Sequence, residues 1–148
     1  MAVPIEASHV LLGREPATRE EAVRTIGEFM IACGEVTPRY LEGMLEKEAQ
    51  HGTWLTEGVA LPHGTNEVKI EILRSSVVVL QMPKGVEWTN GKRVYLAIGL
   101  ASKGDHEHLR LLSGLAAVLE RRELVERMSH TADPDEVVAI LSGEEARA

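Results

Sequence analysis

A single cysteine, Cys33, stands in the 148 residues, so no internal disulfide can form and no thiol framework holds the fold. It falls at the end of an apolar helical pattern with no supporting motif, which reads as a small buried hydrophobe rather than a nucleophile. Basic excess is also missing. The formal net charge is −7, and nonspecific nucleic-acid binding needs Lys and Arg to neutralise phosphates. No stretch approaches the roughly 18 apolar residues of a membrane span, and the start of the chain has no basic region followed by a long apolar one. The expectation is a cytoplasmic chain that does not insert into a membrane and meets one only through a partner. Internal repeats, low-complexity segments and linkers are lacking as well, and the length suits one domain, 1–148, with a core large enough to need no staples.

What is present is organised around Gly58-Val59-Ala60-Leu61-Pro62-His63-Gly64-Thr65. A short apolar strand, Val59 to Leu61, stops at a Pro-His-Gly-Thr turn in which Pro62 fixes its own φ and Gly64 can adopt φ > 0. The turn holds His63 out to a partner. Imidazole near neutral pH keeps a large neutral fraction with one bare ring nitrogen, so it can act as a nucleophile. Gly64 lets backbone N–H groups approach an anion such as phosphate, and Thr65 adds a hydroxyl. These residue types suit a histidine that attacks or carries a phosphoryl group. A plain hydrolase using His63 as a base is not supported, because no G-x-S-x-G segment or acid–base pair accompanies it.

Along the chain, Ser8 to Leu12 reads as a short strand. Thr18 with Glu21 forms a capping box that opens a helix with Ala22, Val23, Ile26, Phe29, Met30 and Cys33 inward, stopped by Gly34. Thr37-Pro38 starts a second helix to about Gln50 with Tyr40, Leu41, Met44 and Leu45 inward; Glu46, Lys47 and Glu48 read as solvated charges. Val68 to Ile72 alternates as a strand or extended arm. Val77 to Leu80 is a strand covered on both faces and ended by Pro83 and Gly85; Asn90-Gly91 is a turn, and Val94 to Leu100 a second buried strand. Asp105 caps a third helix whose expected face is Leu109, Leu112, Leu115, Ala116 and Leu119. A short helix spans Glu123 to Met128. The last, capped by Asp133 with Pro134 first, closes at Gly143. The pattern predicts an α/β fold, a central mixed β-sheet flanked by helices.

His108 falls in the first turn of the third helix, where N–H groups and the helix dipole favour an anion. If that end faces His63, a phosphoryl group would meet a second imidazole. His106 lies about 200° around the helix from His108, so the two do not serve one site, and a zinc site built on them with His63 is disfavoured. No metal or cofactor is expected. Glu57, on the strand entering the turn, either positions groups around His63 or faces solvent. His9, His51 and His130 receive no role.

The run Leu55 to Thr65 resembles the phosphorylation-site segment of the enzyme IIA proteins of the bacterial sugar phosphotransferase system, mannitol and fructose family. Ile98-Gly99-Leu100-Ala101 followed by Glu107-His108-Leu109 resembles that family's second histidine segment, and His130-Thr131 with Asp135-Glu136-Val137 its C-terminal helix pair. Gly34-Glu35-Val36 with Tyr40 and Met44-Leu45 leans toward the mannitol branch. The resemblance covers nearly the whole chain and implies a fold of the phosphotransferase/anion-transport IIA type. It further implies a phosphocarrier: His63 takes a phosphoryl group on Nε2 from the phosphohistidine of HPr and passes it to a IIB (or IICB) permease component, with His108 stabilising the group. Lys47 matches a position where mannitol-branch relatives carry a basic residue near the site; it is either that residue or a solvated surface lysine, and a lysine lacks the bidentate fork of arginine. The alternative implied by the nitrogen-related IIA proteins is a regulatory module whose phosphorylation state a partner reads. Trp54, Leu55 and Leu61 are expected to form a docking rim.

Overall fold

The computed structural model describes residues 3–143. Its centre is a five-stranded mixed sheet of β1 (Val10–Leu11), β2 (Trp54–Thr56), β3 (Gly58–Ala60), β4 (Ser76–Thr89) and β5 (Lys92–Ala101), in the order β1-β4-β5-β3-β2. β1 pairs parallel with β4 and β3 parallel with β5; β4 with β5 and β2 with β3 run antiparallel. Helices α1 (Arg19–Ala32) and α2 (Pro38–Gln50) cover one face, while α3 (Asp105–Leu119), α4 (Arg122–His130) and α5 (Pro134–Leu141) cover the other. The strands alternate accordingly. Val78 and Leu80 face the α1–α2 side, and Val77 and Val79 face α3–α5. Gly99 in β5 is a close-approach residue, since a Cβ there would sit 2.3 Å from Ile26 of α1.

The central mixed sheet and the five helices match the reading of the sequence, and the boundaries differ where long-range pairing decides them. β4 does not end at Pro83 and Gly85 but runs on to Thr89, because the register slips between Gln81 and Val86 and lets an irregular stretch absorb both residues. Val68 to Ile72 is neither strand nor arm: residues Asn66–Glu71 form a 3₁₀ helix whose Val68 packs under α2 against Gly43. The alternation there was two turns of a three-residue period seen through a short window. Ser8-His9 likewise belongs to a 3₁₀ turn, Ala7–His9, ahead of β1.

Caps differ in detail. Thr18 Oγ1 accepts the Glu21 N–H at 3.1 Å, but the Glu21 carboxylate reaches back to Ala17 N rather than to Thr18. Thr37 makes no cap bond; its hydroxyl donates to Glu71 Oε1 at 2.5 Å and ties α2 to the 3₁₀ helix. Asp133 caps α5 as expected, accepting from Asp135 N at 2.9 Å. Asp105 is not a cap. Gly104, with φ 93°, occupies that position and Asp105 is the first helical residue. The α3 face is rotated too: Leu111, Leu115, Val118 and Leu119 are buried, while Ala116 is exposed and Leu109 is 65% exposed. A leucine-rich helix offers two apolar stripes, and the sheet selects one.

Two acids read as solvated or unassigned are buried. Glu48 is 2% exposed and accepts from Trp88 Nε1 (2.9 Å), Thr53 N (3.0 Å) and Thr53 Oγ1 (2.5 Å), joining the end of α2 to the β4–β5 hairpin. Burying a carboxyl group is tolerated here because three donors replace the water it gives up. Glu35 accepts from His9 Nε2 at 2.6 Å and from Ser76 Oγ at 2.7 Å, which gives His9 a structural place between the first turn and β4.

Candidate functional site

β3 ends at Ala60, and Leu61 to Gly64 form the turn that was the strongest local signal. The turn is fixed at each residue: Leu61 N–H donates to Thr53 O (2.9 Å), Leu100 N–H donates to Pro62 O (2.9 Å), and Gly64 N–H donates to the Tyr40 hydroxyl (3.0 Å). Tyr40 in turn donates to Leu100 O at 2.9 Å, so one phenol links α2, the turn and β5. Burial pushes that phenol up to about 12, so it stays a donor at any physiological pH. Gly64 serves a different purpose from the one expected. It does not adopt φ > 0; a Cβ there would lie 2.7 Å from Val68 and 2.8 Å from the Tyr40 ring. Its bare Cα lets Tyr40 seat beneath the histidine.

His63 is half-buried, and its Nδ1 lies 2.7 Å from the Leu61 carbonyl oxygen. A carbonyl only accepts, so Nδ1 carries the proton and Nε2 is left as the bare, nucleophilic nitrogen. Burial holds the imidazole pKa below its ordinary 6.5; the Leu61 carbonyl opposes this, and Lys47 and His108 reinforce it. His63 is therefore neutral at pH 7.

His108 stands opposite, with ring centroids 6.3 Å apart and planes inclined at 53°. It lies one turn into α3, an end with no side-chain cap, where the free N–H groups and dipole favour an anion. Its own pKa is lowered by burial and by Lys69, against the pull of Asp105. The two imidazoles line one cavity of about 90 Å³ with Lys47, Lys69, Ser102 and Gly104 among its walls. This is small beside the roughly 300–1,000 Å³ of small-molecule pockets, and a phosphoryl group fits the scale.

The sequence-predicted residues divide clearly. His63, His108, Gly64 and Lys47 line this cavity. Thr65 precedes the 3₁₀ helix and is not part of the cavity wall. Glu57 is at the opposite end of β3, its side chain 85% exposed and 3.9 Å from Arg122, and it does not line the His63 cavity. A concavity of about 870 Å³ opens there, lined by Glu57, Trp54, Arg93 and Arg122, and contains neither His63 nor His108. Lys69, Ser102 and the Tyr40 hydroxyl were missed. Lys69 was hidden by the strand reading of its segment, while Ser102 meets His108 six residues on and the Tyr40 hydroxyl meets Leu100 60 residues on. Of the expected rim, Leu61 is buried and Leu55 is exposed; Ile70 (85%), Leu73 and Leu109 are the large apolar residues exposed beside the cavity-lining Lys69, Ile72 and His108.

Among the described residues, His9, Cys33 and Glu35 bring metal-type donor atoms within 4.8 Å of one another. The Glu35 carboxylate is already engaged by His9 and Ser76, which makes a hydrogen-bonded pin of those three, and burial with the Glu35 charge pushes the neighbouring Cys33 thiol up. No described helix is long and apolar enough to cross a membrane.

Fold and site together define a class: an α/β domain that presents one neutral, nucleophilic imidazole, backed by a second, in a cavity sized for a small anion. The chain belongs to the family described as phosphoenolpyruvate-dependent sugar phosphotransferase system, EIIA 2, whose profile matches residues 4–144. It is 38% identical over 139 residues to the mannitol-specific EIICBA component of Escherichia coli K12, covering 93% of this chain and 22% of that protein. It is also 38% identical to the multiphosphoryl transfer protein of Escherichia coli O157:H7, covering 89% of this chain and 35% of that one. The chain thus spans about a fifth to a third of these relatives. Among solved structures it resembles the IIA-mannitol chain of the Escherichia coli complex with phosphorylated IIB-mannitol, with a TM-score of 0.89 and 36% identity over 95% of this chain and 99% of that one.

Proposed function

We propose that this chain is a phosphocarrier in which His63 Nε2 accepts a phosphoryl group from a phosphohistidine of HPr and hands it to a IIB component. The observation that carries this reading is the pair of imidazoles about one small cavity, with the His63 tautomer set by the Leu61 carbonyl. In the first step the N–P bond on the donor breaks as the Nε2–P bond forms, and no proton need move, since Nδ1–H is already in place. In the second the Nε2–P bond breaks toward the acceptor side chain and His63 returns to its neutral form. Little covalent chemistry is asked of the protein; positioning and stabilisation of the three phosphoryl oxygens are what it supplies. His108, the α3 N-terminus, Lys47 and Lys69 provide the positive field. Lys47 acts as a point charge.

Partners dock on the rim of Ile70, Leu73 and Leu109, and contact is short-lived because a relay stalls if either complex persists. A submicromolar resting affinity for either partner contradicts this. The reaction belongs in the cytoplasm, where HPr and the IIB domain meet. Mannitol is the favoured sugar, on likeness to the mannitol-specific component; the equal identity to multiphosphoryl transfer proteins leaves the sugar to experiment. The test is incubation with radiolabelled phospho-HPr followed by IIB domains of mannitol and fructose systems. Labelling of wild type, none of His63→Ala, and onward transfer to the mannitol IIB are expected; full labelling of His63→Ala sinks the assignment.

A further inference from the structure

The two imidazoles differ in what their Nδ1 atoms face. His63 Nδ1 meets a carbonyl, which can only accept. His108 Nδ1 meets the Ser102 hydroxyl at 3.0 Å, and a hydroxyl can donate or accept by rotating about its C–O bond. Ser102 is 9% exposed, and His108 Nδ1 is the one hydrogen-bond partner its hydroxyl has among the described residues. Its position is fixed from the next residue on: Lys103 N–H donates to Ser75 Oγ at 2.8 Å and Lys103 Nζ donates to Leu73 O at 3.2 Å. The hydroxyl oxygen is thus held in place while its hydrogen is free to turn.

From this we infer that Ser102 is a positioning residue for phosphoryl transfer, holding His108 so that Nε2 offers an N–H to the group on His63 in both charge states of the ring. The inference rests on the phosphocarrier reading above and deepens it. When His108 is neutral, Ser102 donates to Nδ1 and the ring proton resides on Nε2. When the arriving phosphoryl dianion draws a second proton onto His108, the hydroxyl turns, accepts from Nδ1–H, and Nε2–H stays aimed into the cavity. A carbonyl or carboxylate at Nδ1 would favour the opposite neutral tautomer and leave a lone pair facing the phosphoryl oxygens. The groups that bias His108 are the His63 ring, Lys69, Asp105, which Lys69 pairs at 3.2 Å, and Lys47 across the cavity.

Two measurements on the full chain test this. The first reads the histidine ring nitrogens of the unphosphorylated protein by long-range ¹H–¹⁵N NMR above pH 7. The expected pattern is Nε2–H on His108 and Nδ1–H on His63; Nδ1–H on His108 overturns the inference, whatever the phosphocarrier test shows. The second is a double-mutant cycle on transfer from phospho-His63 to a IIB domain. Ser102→Ala should slow transfer about tenfold, the scale of one neutral hydrogen bond lost from the transition state, and Ser102→Thr should restore it. In a His108→Ala background Ser102→Ala should have no further effect. An equal loss in both backgrounds, or no loss in wild type, contradicts a role through His108. Unchanged His63 ring signals in Ser102→Ala serve as the check that the site is still folded.

Discussion

His63 and His108 face each other across a few ångströms and are held by opposite devices. His63 sits on a turn whose every residue is tied to another element, to Thr53, Leu100 and Tyr40, and its tautomer is locked by an acceptor-only carbonyl. His108 sits on a helix start left uncapped, beside a hydroxyl that can reverse its role. The proposed nucleophile is fixed and the proposed stabiliser is adjustable. A relay asks for this asymmetry, because the attacking atom must always be bare while its neighbour must follow a charge that arrives and leaves.

The largest test of the contrast is the pair of alanine variants. His63→Ala should abolish phosphoryl acceptance; His108→Ala should still accept but transfer on the order of a hundredfold more slowly, as expected for loss of one charge-stabilising group. Equal loss in both would erase the distinction between nucleophile and stabiliser. Rapid-quench labelling with phospho-HPr reads both. Next comes Gly64→Ala, whose Cβ meets Val68 and the Tyr40 ring at under 3 Å and must displace one of them. We expect about 1–3 kcal/mol lost from the unfolding free energy measured by denaturant titration, and slower acceptance from a shifted His63. Unchanged stability would mean that the turn relaxes and its rigidity is not what holds the nucleophile.

A smaller effect comes from pH. The His63 pKa is held below 6.5, mainly by burial, so below that value the unfolded chain binds more protons than the folded one. Stability is therefore complete above 6.5 and is lost as pH falls through the lowered value, and acceptance should fall over the same window because the protonated ring has no lone pair. A loss of acceptance that already sets in above pH 6.5 contradicts a His63 kept neutral by burial. The smallest is Tyr40→Phe, which keeps the packing and removes the hydroxyl that links Gly64 N–H and Leu100 O. About 1 kcal/mol of stability and a few-fold in rate are expected, since both partners lose one neutral hydrogen bond.

The turn that carries His63 was legible in the sequence because it is spelled locally: Pro62 and Gly64 punctuate, and an apolar strand leads in. The sheet was legible from the β-branched runs of β4 and β5. Elsewhere, local spelling and tertiary outcome part. Glu48 in a charged Glu-Lys-Glu run looks solvated, and only the meeting of α2 with Trp88 and Thr53 makes it buried. Leu109 and Leu111 lie about 200° apart on α3 and belong to rival apolar stripes, and the sheet's position chooses that of Leu111. Ser102 carries no sequence signal at all: a serine after a strand is ordinary until α3 brings an imidazole to it. Glu57 shows the converse, a residue six positions from His63 in the chain that β3 carries away from the cavity, to the opposite end of that strand.

The most direct test of the central claim is where the phosphoryl group lands. Protein with ¹⁵N-labelled histidine, incubated with phosphoenolpyruvate, enzyme I and HPr, should show ³¹P coupling to a single ring nitrogen, Nε2 of His63, with Nδ1 still protonated against Leu61. Phosphate on Nδ1, on another histidine, or nowhere while the donors are shown active would contradict the account.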